Sequence, residues 1–131
     1  MTRLPKLFKG LADPSRLRIM NILSSRTACV CDLQSVLGLA QPFISRHLAY
    51  LRKRGLVRDR RQGTWVSYSL ALDGPLRHAL QAFLRDLLPL SGTFQADLQR
   101  LSELERAGWL KGSYSPRAEE QEQGMHDNAA A

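Results

Sequence analysis

Residues 41–54, QPFISRHLAYLRKR, closed by Gly55 and followed by residues 56–70, LVRDRRQGTWVSYSL, are the stretch around which the rest of the chain is arranged. Pro42 suits a first helical turn, where its missing N–H would have no partner anyway, and Gly55 suits the left-handed residue just past a helix end. Phe43, Ile44, Leu48 and Leu51 recur at three- and four-residue spacing, an apolar stripe that must pack on other helices. The opposite face carries Gln41, Ser45, Arg46, Arg52 and Lys53. Gln41 and Ser45 share a side near the N-terminus, where a helix lying in the major groove of DNA presents its base-reading residues. Arg52, Lys53 and Arg54 reach outward at the other end, as phosphate contacts do. Taken alone, this face is equally that of a solvated amphipathic helix.

After Gly55 the period changes to two. Val66, Tyr68 and Leu70 alternate with Trp65, Ser67 and Ser69, which predicts a strand with one face on the core. Leu56 to Asp59 supplies the partner strand and Arg60-Arg61-Gln62-Gly63 the turn. A hairpin tip carrying Arg60, Arg61 and Gln62 beside a groove-reading helix suits phosphates or the minor groove, although RRQG is also simply a polar turn.

Charge points the same way. Residues 1–71 hold 13 Lys and Arg against 3 acids, net +10, whereas residues 72–131 hold 6 against 9, net −3. The basic half is the one that holds the helix and hairpin, as expected of a polyanion-binding surface. At 131 residues the chain is one domain with extensions, and a dimer would help its modest core. The N-terminal residues have no signal-peptide core and no window approaches a membrane span, so a cytoplasmic protein is expected.

Upstream, Leu4, Leu7, Phe8 and Leu11 space out as a short first helix ended by Gly10 and the Ala12-Asp13-Pro14 stop. Asp13 caps a second, with Pro14 at its first position and Leu17, Ile19, Met20, Ile22 and Leu23 inward. Residues 24–27 read as a turn. A third helix starts at about Cys29 or Asp32 and runs to Leu37, ended by Gly38; with residues 41–54 it makes a helix-turn-helix. Downstream, apolar residues at 76, 80, 83, 87 and 90 follow coiled-coil spacing and need a partner, either the domain itself or a second subunit. Phe94, Leu98, Leu101 and Leu104 mark a last helix. The expected fold is mainly α with a small β-hairpin: a dimeric winged helix-turn-helix. It divides into a DNA-binding and dimerisation domain (1–92), a C-terminal helix (93–111) and a disordered tail (112–131).

The order of these pieces resembles the winged-helix repressors of the ArsR/SmtB family, which sense metals and metalloids in bacteria. FKGLADPSRLRIMNIL, CVCDL, LGLAQPFISRHLAYLRKRGLV and RRQGTWVSYSL carry the likeness across most of residues 8–70. CVCDL followed by QPFISRHLAYLR is similar to the arsenic- and antimony-responsive branch. The resemblance implies a homodimer that blocks double-stranded operator DNA until As(III) or Sb(III) binds, with no permanent cofactor. It implies DNA contacts from Gln41, Ser45, Arg46 and His47 and a wing tip at Arg61, Gln62 and Gly63, to which the charge pattern of the residues adds Arg52, Lys53 and Arg60. It also implies a dimer interface built from Leu4, Leu7, Phe8, Leu76, Leu80, Phe83 and Leu87, and a ligand pair at Cys29 and Cys31.

Some positions depart from the family pattern. Ala40 stands where a capping Ser is common and cannot cap with its side chain. Gln34 stands where some arsenic sensors carry a third cysteine. Asp73, His78 and Asp86 are too few and too poorly spaced for the zinc sites of other members.

Cys29 and Cys31 are soft sulfur donors suited to thiophilic ions. Two residues apart on a regular helix they point about 200 degrees from each other, but on an extended segment they share a side. Ion binding should therefore favour an unwound start of the third helix, shifting the groove-reading helix that follows. The alternative is that both thiols are small apolar fillers. The third donor stays open between water, a small thiol and a group such as His47, while His78 and His126 read as surface and tail residues. Trp65 and Trp109 read as packing residues. Competing functions are a repressor of the same fold sensing another thiophilic metal or an oxidant, and a winged-helix protein-interaction module. No phosphate loop, HExxH, GxSxG, carboxylate pair or CxxC spacing is present, so an enzyme is not expected.

Overall fold

The computed structural model of the chain describes residues 3–111, so the tail expected at 112–131 lies outside the described residues. Helices α1 (Arg3–Leu11) and α2 (Pro14–Ser25) are followed by the two-residue strand β1 (Ala28–Cys29), α3 (Val30–Leu37) and α4 (Gln41–Lys53). The wing strands β2 (Val57–Gln62) and β3 (Trp65–Leu70) come next, then α5 (Gly74–Leu87), a 3-10 turn (Leu88–Leu90) and α6 (Gly92–Arg106).

Local signals set most of the boundaries. The Asp13 side chain accepts from the Ser15 and Arg16 N–H groups and Pro14 opens α2, the arrangement expected there. At the far end of α4, Gly55 takes φ 73°. This lets its N–H reach Arg52 O at 3.0 Å while Leu56 N–H reaches Leu51 O at 3.0 Å, a Schellman end that turns the chain straight into the wing.

Ile19, Met20, Ile22 and Leu23 of α2, Leu33 of α3 and Ile44, Leu48 and Leu51 of α4 are essentially sealed from water. Each such side chain contributes roughly 1.5–3 kcal/mol, so the helix-turn-helix is held from behind by its own core.

Several expectations change. The first helix ends at Leu11, at the Ala12-Asp13-Pro14 stop, and Gly10 lies within it, where a Cβ would collide with Leu56 Cδ1; the missing side chain lets α1 press onto the junction of α4 and the wing. The sheet has three strands, ordered β1-β3-β2 and antiparallel, because Ala28 and Cys29 pair with Tyr68 and Ser67. Strand β2 runs on through Arg60, Arg61 and Gln62, which pair with Ser67, Val66 and Trp65, so only Gly63 and Thr64 connect the strands.

The stripe on α5 faces mainly inward. Leu80 is 3% exposed and Leu84, which the coiled-coil spacing passed over, 1%. Leu76 and Leu87 pack half-buried against the same core, and Leu7 of α1 is buried as well. The outward apolar residues are therefore Leu4, Phe8 and Phe83, while Leu90 has left the helix and is exposed.

Helix α6 seats Leu101 in the shared core. Asp97 on α6 receives a two-pronged pair from Arg18 of α2, Nε to Oδ2 at 2.8 Å and Nη2 to Oδ1 at 2.9 Å. The same Nη2 donates to Leu37 O at the end of α3. Among the described residues, no helix is long and apolar enough to cross a membrane.

Candidate functional site

On α4, Gln41 and Arg46 are exposed and Ser45 half-buried along the side left free by the Ile44–Leu48–Leu51 stripe. Ala40 makes no side-chain cap, as its missing oxygen requires. Lys53 is exposed; Arg52 donates to Asp59 Oδ2 at 3.0 Å, with both partners open to water. An exposed pair of this kind is worth under about 1 kcal/mol and is readily exchanged for a phosphate.

Arg54 and His47 make contacts within the fold. Arg54 does not reach outward: its guanidinium lies 3.5 Å over the Tyr50 ring, which Arg16 also covers at 4.0 Å. His47 is half-buried and edge-on to Phe43 at 4.5 Å, with Nε2 buried and 4.0 Å from Asp13 Oδ1. The approach of the α2 N-terminus, with Asp13, makes it an inner residue.

Burial holds the His47 pKa below its ordinary 6.5, aided by the charges of Arg16 and Arg46 and opposed by Asp13. Asp13 itself is held low, chiefly by the Arg16 N–H. A depressed histidine contributes stability above the unfolded pKa and loses it as pH falls through the folded value. The urea midpoint of the protein should therefore drop as pH is lowered below about 6.5, through the lower folded value of His47. In His47→Gln that part of the drop should be missing; an identical acid limb in the variant would assign the loss elsewhere.

In the wing, Arg60, Arg61 and Gln62 are all exposed. Directly opposed residues of an antiparallel pair share a face, so the register puts Arg60 and Gln62 on the side of Ser67 and Trp65, and Arg61 on the side of Val66. Trp65 and Trp109, expected as packing residues, are instead 48% and 70% exposed.

The two cysteines occupy different environments. Cys29 ends β1 opposite Ser67 and caps α3 from an extended conformation, φ −88° and ψ 173°. Its Sγ accepts the Asp32 N–H at 3.4 Å, and Asp32 Oδ2 accepts the Cys29 N–H at 3.2 Å, a reciprocal capping box with sulfur in the hydroxyl's place. Asp32 Oδ1 also accepts the Lys111 N–H at 2.8 Å, which ties the chain beyond α6 to the start of α3. Arg100 adds a bond to Ser35 O at 2.6 Å.

Cys29 is buried and Cys31 exposed. Burial pushes the Cys29 thiol up to about 11, with the Asp32 carboxylate adding to the rise and the Asp32 N–H working against it. The regular helix thus begins one residue after Cys29, and the thiols are separated by burial as much as by helical rotation. Their donor type fits a thiophilic ion, and the Cys29 sulfur is engaged in the α3 cap while its backbone pairs in β1. Among the described residues, no group of three or more His, Cys, Asp or Glu is placed to hold a metal.

Comparison with known proteins adds to this geometry. Residues 13–59 match the family described as "Bacterial regulatory protein, arsR family". An arsenical resistance operon repressor of Escherichia coli K12 is 55% identical over 67 residues, covering 50% of this chain and 57% of that protein. An arsenic resistance transcriptional regulator of Pseudomonas putida KT2440, ArsR2, is 40% identical over 100 residues, covering 76% of this chain and 80% of that protein. The chain therefore spans little more than half of the first of these relatives and four-fifths of the second. Among solved structures, a homodimeric winged helix-turn-helix DNA-binding domain from Mycobacterium bovis superposes with a TM-score of 0.56 at 28% identity, covering 65% of this chain and 77% of that one.

Proposed function

Because this chain belongs to the arsR family of bacterial regulatory proteins, whose members are DNA-binding regulators rather than enzymes, we propose that it is a transcriptional repressor released from operator DNA by As(III) or Sb(III) at Cys29 and Cys31. The reading rests on one observation above all: Cys29 is at once the cap of α3 and the partner of Ser67 in the wing. In this mechanism Gln41, Ser45 and Arg46 of α4 read the major groove, while Lys53, Arg60, Arg61 and Gln62, with Arg52 on exchange from Asp59, take phosphates and the flanking groove. Two copies join through α1 and α5. Leu4, Phe8 and Phe83 support this by facing outward, and the Mycobacterium bovis domain supports it by being a homodimer.

A bound thiophilic ion supplies sulfur bonds strong enough to compete with the contacts that hold Cys29. The chain then does the rest. Moving Cys29 toward Cys31 gives up the Sγ contact to the Asp32 N–H and the β1–β3 pairing. The first frees the start of α3, which leads through Gly38 into α4; the second loosens the strand that carries the wing. Both DNA-contacting elements are coupled to one side chain, and the ligand favours the released state through its different affinity for the two arrangements.

The test is a release titration of the protein on duplex DNA of its own promoter against As(III), Sb(III), Cd(II), Zn(II) and peroxide. Release at micromolar As(III) or Sb(III), with about a hundred-fold more needed of Zn(II), is expected from sulfur-only donors. Release by Cd(II) alone, or by peroxide alone, replaces the metalloid assignment with another metal or with an oxidant.

A further inference from the structure

Trp65 is the first residue of β3, directly across the hairpin from Gln62 and next to the two-residue connection at Gly63 and Thr64. The ladder fixes its position, yet nearly half of the side chain is left in water. A single exposed apolar residue means little on its own. Here its surroundings are specific. Every residue of β2 after Val57 is exposed, and three of those five, Arg58, Arg60 and Arg61, are cations.

Arg60 and Gln62 share the indole's face. The other large apolar residues exposed among those described, Leu4, Phe8, Phe83, Leu90 and Trp109, lie on other elements. A protein partner would be expected to meet a wider apolar area, whereas an isolated aromatic in a cationic strand matches the wall of a DNA groove, where deoxyribose carbons lie between phosphates. The indole also brings an N–H donor that can reach a phosphate or a base edge.

We propose that Trp65 is a DNA-contacting residue, its indole set against the sugar wall of the minor groove flanking the site read by α4, with Gln62 and Arg60 beside it. The proposal rests on the DNA-binding reading given above. It adds an apolar contact that carries no charge, so it changes affinity without changing the number of counterions released.

The full chain with Trp109→Phe has Trp65 as its only tryptophan, which makes emission a direct probe. On adding duplex DNA of its own promoter, Trp65 emission should change and its quenching by acrylamide should fall several-fold. Trp65→Ala should weaken binding about ten-fold and Trp65→Phe less, both with an unchanged slope of log K against log salt. Arg61→Ala should instead lower that slope by about one.

Wild-type affinity in Trp65→Ala, or undiminished acrylamide access in the DNA complex, would overturn the proposal while leaving DNA binding intact. Protection of Trp65 that follows protein concentration without DNA would also overturn it, assigning the indole to a second copy. If the wild-type chain forms no salt-dependent complex at all, the DNA-binding reading itself falls. Circular dichroism of the two Trp65 variants checks that their surface substitutions leave the fold in place.

Discussion

Replacing Cys29 and Cys31 together by serine leaves DNA binding close to wild type and shifts arsenite-induced release by at least about a hundred-fold, the scale set by losing both soft donors. The first half of this result follows from the cap. Serine is a preferred N-cap, and at position 29 its oxygen can accept the Asp32 N–H now held by Sγ at 3.4 Å, while Asp32 keeps the backbone N–H of residue 29. Repression therefore survives because α3 and β1 stay as they are. The second half follows from donor chemistry, since a hydroxyl cannot replace a thiolate toward a thiophilic ion. A double variant released at the wild-type arsenite concentration would place the ligand on other atoms and remove the proposed switch.

Asp97→Ala should cost about 3–5 kcal/mol, the usual penalty for breaking a buried pair from one side. Asp97 and Arg18 keep only 5% and 22% of their side chains exposed, and the guanidinium would be left with Leu37 O as its remaining acceptor. The carboxylate also raises the pKa of Arg18, so the cation cannot escape by losing its proton. Loss of this anchor weakens the seat of α6 and, through it, the Lys111 bond at Asp32 and the Arg100 bond at Ser35. Chemical denaturation reads the stability change. The paired apolar replacement Arg18→Met with Asp97→Leu should recover most of it, because no charge is then left buried without a partner. A loss below about 1 kcal/mol in Asp97→Ala would class the pair with exposed salt bridges and take away its role in seating α6.

The unequal legibility of the site has a physical cause. The cap at Asp13-Pro14, the stop at Gly38, the Gly55 exit from α4 and the alternation in residues 65–70 are signals that act within four or five residues, and each element stands where they put it. The soft thiol pair was legible as well, since two cysteines at one helix start need no tertiary information to be noticed. What the pair is attached to was not legible. A two-residue strand at 28–29 has no periodicity of its own, and it exists only because Tyr68 and Ser67 offer free ladder groups 38 to 40 positions later.

The surroundings of His47 and Trp65 were hidden for the same reason. The family resemblance placed His47 on the recognition-helix surface, and Trp65 read as a packing residue. The α2 N-terminus buried the first. For the second, the β2–β3 ladder sets Trp65 opposite Gln62 beside the two-residue connection, where it is 48% exposed.

By itself, then, the order of residues determined the helix ends, the apolar stripes, the basic first half and the presence of a wing, because caps, turns and periodicity are properties of neighbours along the chain. Tertiary structure alone decided that Cys29 joins β1 to α3, that Arg18 and Asp97 meet across 79 positions, and which apolar residues of α1 and α5 remain outside. Those outcomes depend on which surfaces meet when the helices close over one core, and contacts between distant residues leave no local pattern to read.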